Sequence, residues 1–147
     1  PGRPQVRQTG GTLHSASPMA LSYPDDCRYA DSHEYARRDG ELVRVGISAF
    51  AVDQLGDIVF VELPEVGDSL SQGSSFGSVE SVKAVEEVIA PISGLIEARN
   101  EAVLASPEEL QNDPYGEGWL LLLQPADPSQ LEGLMDAAVY GAKVQGA

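Results

Sequence analysis

Most of the chain alternates apolar and polar positions over short stretches, a pattern that predicts β-strands separated by turns. Asp39-Gly40 is a strong turn signal, and with the alternating residues 41–47 it predicts a hairpin. Residues 57–63 are rich in β-branched and aromatic side chains and end at Pro64, so we expect a well-buried strand there. Further strands are predicted at residues 27–30, 31–36 and 118–124, a second hairpin at residues 77–91, and a turn leading into another strand at residues 91–99.

Three short helices are predicted from their end signals. Ser48 is a good N-cap for a helix over residues 49–55, and Gly56 is placed to end that helix in the left-handed αL conformation. Ser106 begins a second, short helix as its cap. Asp127 begins a C-terminal helix that Gly133 can divide in two. The apolar positions that follow the period of this last helix are Leu131, Leu134, Met135, Ala138 and Val139.

Together, about eight short strands with brief helices predict a mainly β fold, either a β-sandwich or a flattened barrel. We expect Ile92, Leu95 and Ile96 to lie in its core. The segments 67–80 and 85–99 each consist of a turn and a strand of similar length, which indicates two related halves on either side of the second hairpin.

The composition limits the classes of partner and cofactor. Nine Lys and Arg residues oppose 23 Asp and Glu residues, so the formal net charge of -14 disfavours nucleic acid as a partner. This acidic balance fits either simple solubility or steering toward basic docking surfaces. No apolar run approaches the roughly 20 residues of a membrane helix, so we expect no membrane partner. Cys27 is the single cysteine, and His14 and His33 lack metal-ligand spacing, so we expect a reducing compartment and no metal site.

The N-terminal residues 1–20 are expected to form a tail separate from the fold. Up to Pro18 this segment has Gly, Pro, Ser and Thr but no acid and no hydrophobic period, which is typical of a disordered tag or vector remnant. Met19 fits as the natural start, so we expect residues 21–147 to form a single domain. Folded-looking sequence follows almost at once, so we expect no transit peptide.

Lys83, in the middle of the second predicted hairpin, is the candidate for chemistry. The chain has only two lysines, Lys83 and Lys143. A lysine can act as a Schiff-base nucleophile, a phosphate ligand, a solvated charge or an attachment point for a carried group. The glycines at residues 73 and 77 lack phosphate-loop spacing and fit an ordinary turn. A lysine near a hairpin tip is most simply a surface charge, but its scarcity here favours a covalent attachment point.

The residues around Lys83 resemble a known family. Glu80-Ser81-Val82-Lys83-Ala84, with Gly77 before it and Ala90-Pro91-Ile92-Ser93-Gly94 after it, is similar to the lipoyl-attachment hairpin of the glycine cleavage system H protein. The similarity covers about residues 22–145. It implies a flattened barrel or sandwich of the lipoyl/biotinyl-carrier hybrid type, with short helices and a C-terminal helix. Further matching stretches are Ser32-His33-Glu34, Gly46-Ile47-Ser48, residues 55–64, Gly67-Asp68 and Gly116-Glu117-Gly118-Trp119.

The resemblance implies that Lys83 carries lipoic acid in amide linkage and that the chain is a carrier and cosubstrate, not an enzyme. In that family a pyridoxal-phosphate glycine decarboxylase loads an aminomethyl group onto the lipoyl arm. An aminomethyltransferase then passes the one-carbon unit to tetrahydrofolate, and an FAD-containing dihydrolipoamide dehydrogenase reoxidises the arm. Lipoylation enzymes are further implied partners, with Glu80 as a candidate recognition residue. The implied setting is glycine catabolism and one-carbon metabolism, including photorespiration.

A surface cleft that shelters the loaded arm is also implied by the resemblance. By position, Ser32, Glu34, Gln54 and Glu87 are candidates to line it, and an acidic side chain would suit the protonated aminomethyl amine. For His33, a packed and hydrogen-bonded structural role is the simpler interpretation.

Other carriers remain as alternatives. A lipoyl domain of a 2-oxoacid dehydrogenase complex is one, although such domains are shorter and precede Ala/Pro-rich linkers. Biotin carriage would predict methionines beside the lysine, where Val82 and Ala84 stand. An H-like protein that only binds or relays lipoate is another. We expect a cytoplasmic location for a bacterial chain, which we favour, and the mitochondrial matrix for a eukaryotic one.

Overall fold

In the computed structural model, which describes residues 21–145, the alternating segments form two antiparallel sheets. Within this span the strands are β1 (Cys27–Tyr29), β2 (Glu34–Asp39), β3 (Leu42–Ile47), β4 (Ile58–Glu62), β5 (Ser69–Leu70), β6 (Ser75–Ser81), β7 (Val85–Ile89), β8 (Gly94–Arg99) and β9 (Leu121–Pro125). The larger sheet has six strands in the order β1-β2-β3-β9-β8-β5, and the smaller has three in the order β4-β6-β7. Residues 1–20, the predicted tail, lie outside the described residues.

The helices are short and sit between the strands. They are α1 (Ala49–Leu55), α2 (Glu101–Ala105), α3 (Glu109–Asn112) and α4 (Ala137–Gln145), and a 3-10 helix at Pro128–Gly133 precedes α4. The Ser48 side chain caps α1 by accepting a hydrogen bond from the Ala51 N–H, as its sequence position predicts. None of the helices in residues 21–145 has the length and apolarity needed to cross a bilayer.

One hydrophobic cluster joins the two sheets. In the six-stranded sheet, Val45 and Leu121 are fully buried, and in the three-stranded sheet Val61 and Val79 are almost fully buried. Strands β6 and β7 of the second hairpin pair with each other, and the strands on either side of them in the sequence, β5 and β8, also pair with each other. The two predicted halves, residues 67–80 and 85–99, are therefore paired strand by strand. This mainly β sandwich with short helices and a C-terminal helix confirms the expected fold class.

Burial differs from expectation at four apolar positions. Val59 and Phe60 are half exposed, so the strand at residues 57–63 is not well buried, and a bulge between Ile58 and Phe60 shifts its register. Leu95 on β8 and Val139 on α4 also face solvent. An apolar run cannot by itself distinguish a strand buried on both faces from one that is covered on a single face.

The helix ends also correct parts of the sequence analysis. Gly56 has a positive φ of 79° but a ψ of -138°, so it ends α1 outside the αL conformation. Ser106 is not the cap of α3, whose N-cap is Glu108 without a side-chain hydrogen bond. Helix α2 was not predicted; Asn100 caps it by accepting a hydrogen bond from the Ala102 N–H. The C-terminal segment does divide after Gly133.

Helix α4 packs on an aromatic cluster beside β1. The rings of Tyr29 and Tyr140 stack with centroids 4.5 Å apart at an interplanar angle of 7°. Tyr23 meets the Tyr140 ring edge-on at 5.3 Å. Because aromatic pairs stabilise a fold beyond their buried area, this cluster fixes α4 against the start of the larger sheet.

Candidate functional site

Lys83 lies at the tip of the β6–β7 hairpin, where Ser81 holds the turn. The Ser81 N–H donates to the Ala84 carbonyl at 2.8 Å, and the Ser81 hydroxyl oxygen accepts from the N–H groups of Lys83 and Ala84 at 3.3 Å and 3.1 Å. The Val82 N–H donates to the Asp57 carbonyl at 3.0 Å, which ties the tip to the loop before β4. The backbone of Lys83 is therefore held firmly while its side chain is exposed.

Lys83 also differs from the other lysine in its partners. Lys143 on α4 pairs with the Asp31 carboxylate. The Lys83 ammonium forms no ion pair with any residue in the described span, and its stem passes close to Gly56 at the end of α1. An exposed amine on a fixed backbone is accessible to an enzyme that modifies it.

A cleft of about 370 Å³ begins beside the hairpin tip. It runs between the β6–β7 hairpin, helix α1 and the corner that precedes β2. All four predicted cleft residues line it, and so do apolar side chains on both walls. The complete lining is Ser32, His33, Glu34, Ile47, Phe50, Ala51, Gln54, Leu55, Val79, Ala84, Glu86, Glu87 and Val88.

Glu34 is the buried acid of this cleft, with only 2% of its surface exposed. Its carboxylate accepts hydrogen bonds from the Ser32 hydroxyl and, at 2.9 Å, from the Ile89 N–H of β7. Burial raises the pKa of Glu34 above its usual range, and these two donors oppose that shift in part. Glu34 thus links the β2 corner to the edge of the three-stranded sheet.

The other predicted cleft residues are more exposed. Gln54 lies on the exposed side of α1, and Glu87 lies on β7 with its side chain in solvent. The neighbouring Glu86 also lines the cleft and was not among the predicted residues; it pairs with the buried Val79 and therefore shares the inner face of the sheet. The alternation of side chains along β7 could have indicated the position of Glu86, because Glu86 is two residues before the buried Val88 and shares its face.

His33 forms a second polar link at the same corner. Its φ of 82° is unusual for a residue other than glycine, and its Nδ1 lies 2.7 Å from the Tyr140 hydroxyl. The same hydroxyl lies 2.7 Å from Oγ of Ser48, the cap of α1. Burial lowers the pKa of His33, which favours the uncharged ring at neutral pH, and this ring shares a hydrogen bond with the Tyr140 hydroxyl.

Helix α4 therefore joins two walls of the cleft through one hydroxyl. The Tyr140 side chain meets the corner at His33 and the first turn of α1 at Ser48. Burial raises the pKa of Tyr140 to about 12, so the hydroxyl keeps its proton near neutral pH. The structural interpretation of His33 agrees with this geometry.

Comparisons with known proteins agree with these features. A family model described as glycine cleavage H-protein matches residues 27–147. The chain belongs to the glycine cleavage H-protein family. Glycine cleavage system H proteins of Parasynechococcus marenigrum (strain WH8102) and Synechococcus sp. (strain CC9605) are 75% and 74% identical to it over 126 residues, 86% of this chain and 98% of each relative.

A solved member of the H-protein family shares the fold. The crystal structure of a glycine cleavage system H protein from Mycobacterium marinum matches with a TM-score of 0.76 at 40% sequence identity. The match covers 84% of this chain and 99% of that chain. The likeness therefore extends over most of the chain and over nearly all of the solved H protein.

Proposed function

We propose that this chain is the lipoyl-carrying shuttle of a glycine cleavage system, with lipoic acid attached to Lys83. The observation that carries the proposal is the position of Lys83: an exposed amine on a fixed hairpin tip, at the end of a cleft, in a member of the H-protein family. The partners of such a shuttle are the glycine decarboxylase, the aminomethyltransferase, the dihydrolipoamide dehydrogenase and a lipoylation enzyme. The cyanobacterial origin of the relatives supports a bacterial cytoplasmic location.

The cleft has the chemistry that a lipoyl arm needs. Its volume falls in the range of small-molecule sites, roughly 300–1,000 Å³. Phe50, Leu55 and Ala84 give it an apolar wall for a hydrocarbon chain, and Ser32 and Glu34 give it a polar end. When bound, the lipoyl group supplies a disulfide that accepts the aminomethyl unit and a dithiol that is later reoxidised.

The chain's own residues hold and protect the arm in this proposal. Ser81 fixes the turn that presents Lys83, and Glu34 joins the polar end of the cleft to the β7 edge. The neighbouring carboxylate of Glu86, on the cleft side of β7, provides negative charge for a protonated amine. We infer that the chain acts as a cosubstrate, since these roles are presentation and shelter and the bond changes take place in the partner enzymes.

Lipoylation of Lys83 is tested by intact mass and peptide mapping after coexpression with a lipoate ligase. We expect one lipoyl adduct in the wild type and in Lys143→Arg, and none in Lys83→Arg. Lys143 is a matched control because it is the other lysine of the chain. An unmodified wild type, or an adduct that persists in Lys83→Arg, would overturn the assignment.

A further inference from the structure

Exposed apolar side chains gather around Lys83. Val59 and Phe60 on β4 are each 52% exposed, Val82 beside Lys83 is 71% exposed and Val85 at the start of β7 is 61% exposed. These four are half of the large exposed hydrophobic residues in the described span, although they lie only on the two strands that flank β6 and on the turn that bears Lys83. Contiguous exposed apolar surface with a polar rim is characteristic of interaction sites.

Strand register places two of these side chains on one face with an acid between them. Phe60 is opposite Glu80, and Glu80 is opposite Val85, so the three project from the same side of the three-stranded sheet. The next row of that side is acidic at both ends, with Glu62 and Glu87 flanking a serine. The buried residues of the sheet, such as Val61 and Val79, point the other way. We call this outer side, together with the exposed Val59 at the bulge and Val82 in the turn, the carrier face; it comprises Val59, Phe60, Glu62, Glu80, Val82, Val85 and Glu87.

The charge around the carrier face is almost entirely negative. Between residues 45 and 98, Lys83 is the only lysine or arginine. The same segment has nine acids, so without the charge of Lys83 all of its Lys, Arg, Asp and Glu charges are negative. Those acids are Asp53, Asp57, Glu62, Glu65, Asp68, Glu80, Glu86, Glu87 and Glu97.

We propose that the carrier face docks onto a basic surface with an apolar centre at the active-site entrance of the decarboxylase that loads the arm. The enzyme that receives an arm from Lys83 must contact the surroundings of Lys83, and those surroundings call for positive charge around an apolar contact. Phe60 and Val85 supply the central contact, and Glu62, Glu80 and Glu87 supply the charged rim. This inference rests on the proposed shuttle function.

Attachment of the arm also changes the charge of the carrier face. In the acylation, a bond forms between Nζ and the acyl carbon of an activated acyl donor, the bond from that carbon to its leaving group breaks, and the ammonium gives up two protons. The cation is thereby replaced by a neutral amide. Docking on a basic surface is consequently stronger for the acylated chain, and the charge of Lys83 selects modified carrier over unmodified carrier.

The docking surface is tested by titration calorimetry of lipoylated chain with the glycine decarboxylase. Among interface residues, a minority near the centre carry most of the binding energy, and truncation of one of these weakens affinity roughly 5-fold or more. We expect Phe60→Ser to raise the dissociation constant by about that factor. Val85→Ser is a second variant with the same expected direction. Val139→Ser is the matched control, since Val139 is 54% exposed on α4 and should leave the constant unchanged.

Charge is tested with two substitutions at the hairpin tip. We expect the neutral Lys83→Gln chain to bind the decarboxylase roughly 2- to 5-fold more tightly than Lys83→Arg, a difference that shrinks as ionic strength rises from about 0.05 M to about 0.5 M. Equal affinities at low salt would overturn the charge selection.

Absence of binding, or equal dissociation constants for Phe60→Ser and Val139→Ser, would overturn the docking proposal. Thermal unfolding of each variant checks that the fold is intact. The shuttle function has its own readout, the exchange of carbon between glycine and bicarbonate supported by the lipoylated wild type. A wild type that supports exchange, with Phe60→Ser binding as tightly as wild type, would refute the docking surface and leave the function standing.

Discussion

In the six-stranded sheet, Val43, Val45, Leu121 and Leu123 are completely buried, whereas in the three-stranded sheet Val85 is 61% exposed. The larger sheet is covered by the smaller sheet and by the helices, so its apolar residues stabilise the fold. The smaller sheet covers that core with one face and leaves the other to solvent. Apolar residues of the same types therefore stabilise the core in the larger sheet and form the exposed surface around Lys83 in the smaller one. Substitutions in the two sheets should have different effects on stability and on function.

Replacement of Lys83 should give the largest contrast between function and folding. Lys83→Arg keeps an exposed cation, so we expect the free energy of unfolding to change by less than about 0.5 kcal/mol. Arginine offers no amine for the lipoyl amide, so exchange of carbon between glycine and bicarbonate should be abolished in a reconstituted system. Lys143→Arg should retain exchange. Exchange supported by Lys83→Arg would refute the shuttle assignment.

Truncation within the larger sheet should give the largest loss of stability. Leu121→Ala removes a fully buried side chain from β9, and we expect it to lower the free energy of unfolding by about 2–5 kcal/mol. Val85→Ala removes exposed surface from the smaller sheet and should cost less than about 0.5 kcal/mol. Urea denaturation measures both. Similar losses would contradict this difference between the two sheets.

Glu34 should slow the loss of methylamine from the loaded arm, because its carboxylate joins β2 of the larger sheet to β7 of the smaller sheet. Glu34→Ala leaves the Ile89 N–H of the β7 edge without its acceptor and opens the polar end of the cleft. We expect methylamine to be released from the loaded chain roughly 3- to 10-fold faster, as followed by mass spectrometry over time. Glu97→Ala, which removes an exposed acid from β8, is the control. An unchanged release rate would remove Glu34 from the cleft.

The Tyr140 hydroxyl should show a smaller, local effect. Tyr140→Phe keeps the stack on Tyr29 but deletes the link between His33 and Ser48, and we expect a cost of about 0.5–1.5 kcal/mol. Tyr29→Phe deletes the other hydroxyl of the stack, which donates to the Pro24 carbonyl, at a similar cost. Only Tyr140→Phe should shift the imidazole nitrogen resonances of His33. Identical His33 spectra in both variants would contradict the link.

His33 should give the smallest effect, a change in how stability depends on pH. Burial lowers the pKa of His33 below its ordinary value of 6.5, with a further lowering by Lys143 and an opposing contribution from Asp31. As pH falls below 6.5, the unfolded chain takes up a proton at His33 before the folded chain does, so the folded state loses stability in that window. His33→Asn, which tolerates the positive φ, should remove this loss.

The measurement is the difference in the free energy of unfolding between wild type and His33→Asn across pH 5 to 8. Glu34 acts in the opposite direction, because its raised pKa favours the folded state at low pH and this contribution is lost as pH rises. Glu34 is present in both chains and cancels in the difference. A difference that does not vary with pH would refute the titration of His33.

Local signals in the sequence were sufficient for the hairpins and for α1. Asp39-Gly40 produced the first hairpin, and Ser48 and Leu55 mark both ends of α1 as the structure has them. These features depend on capping and turn chemistry within a few residues, so neighbouring residues determine them. Helix α2 was missed although Asn100 caps it, because the five residues that follow are too few to show a helical period.

The face that each strand presents was not determined locally. Val59 and Phe60 read as core because their run is apolar, yet the bulge at Ile58 and the lack of a covering layer leave both half exposed. Leu95 on β8 is also exposed, because its side chain points to the opposite side of the sheet from the buried Gly94 and Ile96. Whether a layer covers a sheet face depends on segments that are distant in the sequence.

Composition and spacing in the sequence by themselves determined the lysine, its hairpin and the family resemblance, because those depend on residues next to one another. The tertiary structure alone placed Ser32, Glu34, Gln54 and Glu87 around one cleft, since they come from a corner, a helix and a strand that meet only when the two sheets pack. It also decided that Lys83 lies between a surface cleft on one side of its sheet and an acidic, apolar face on the other.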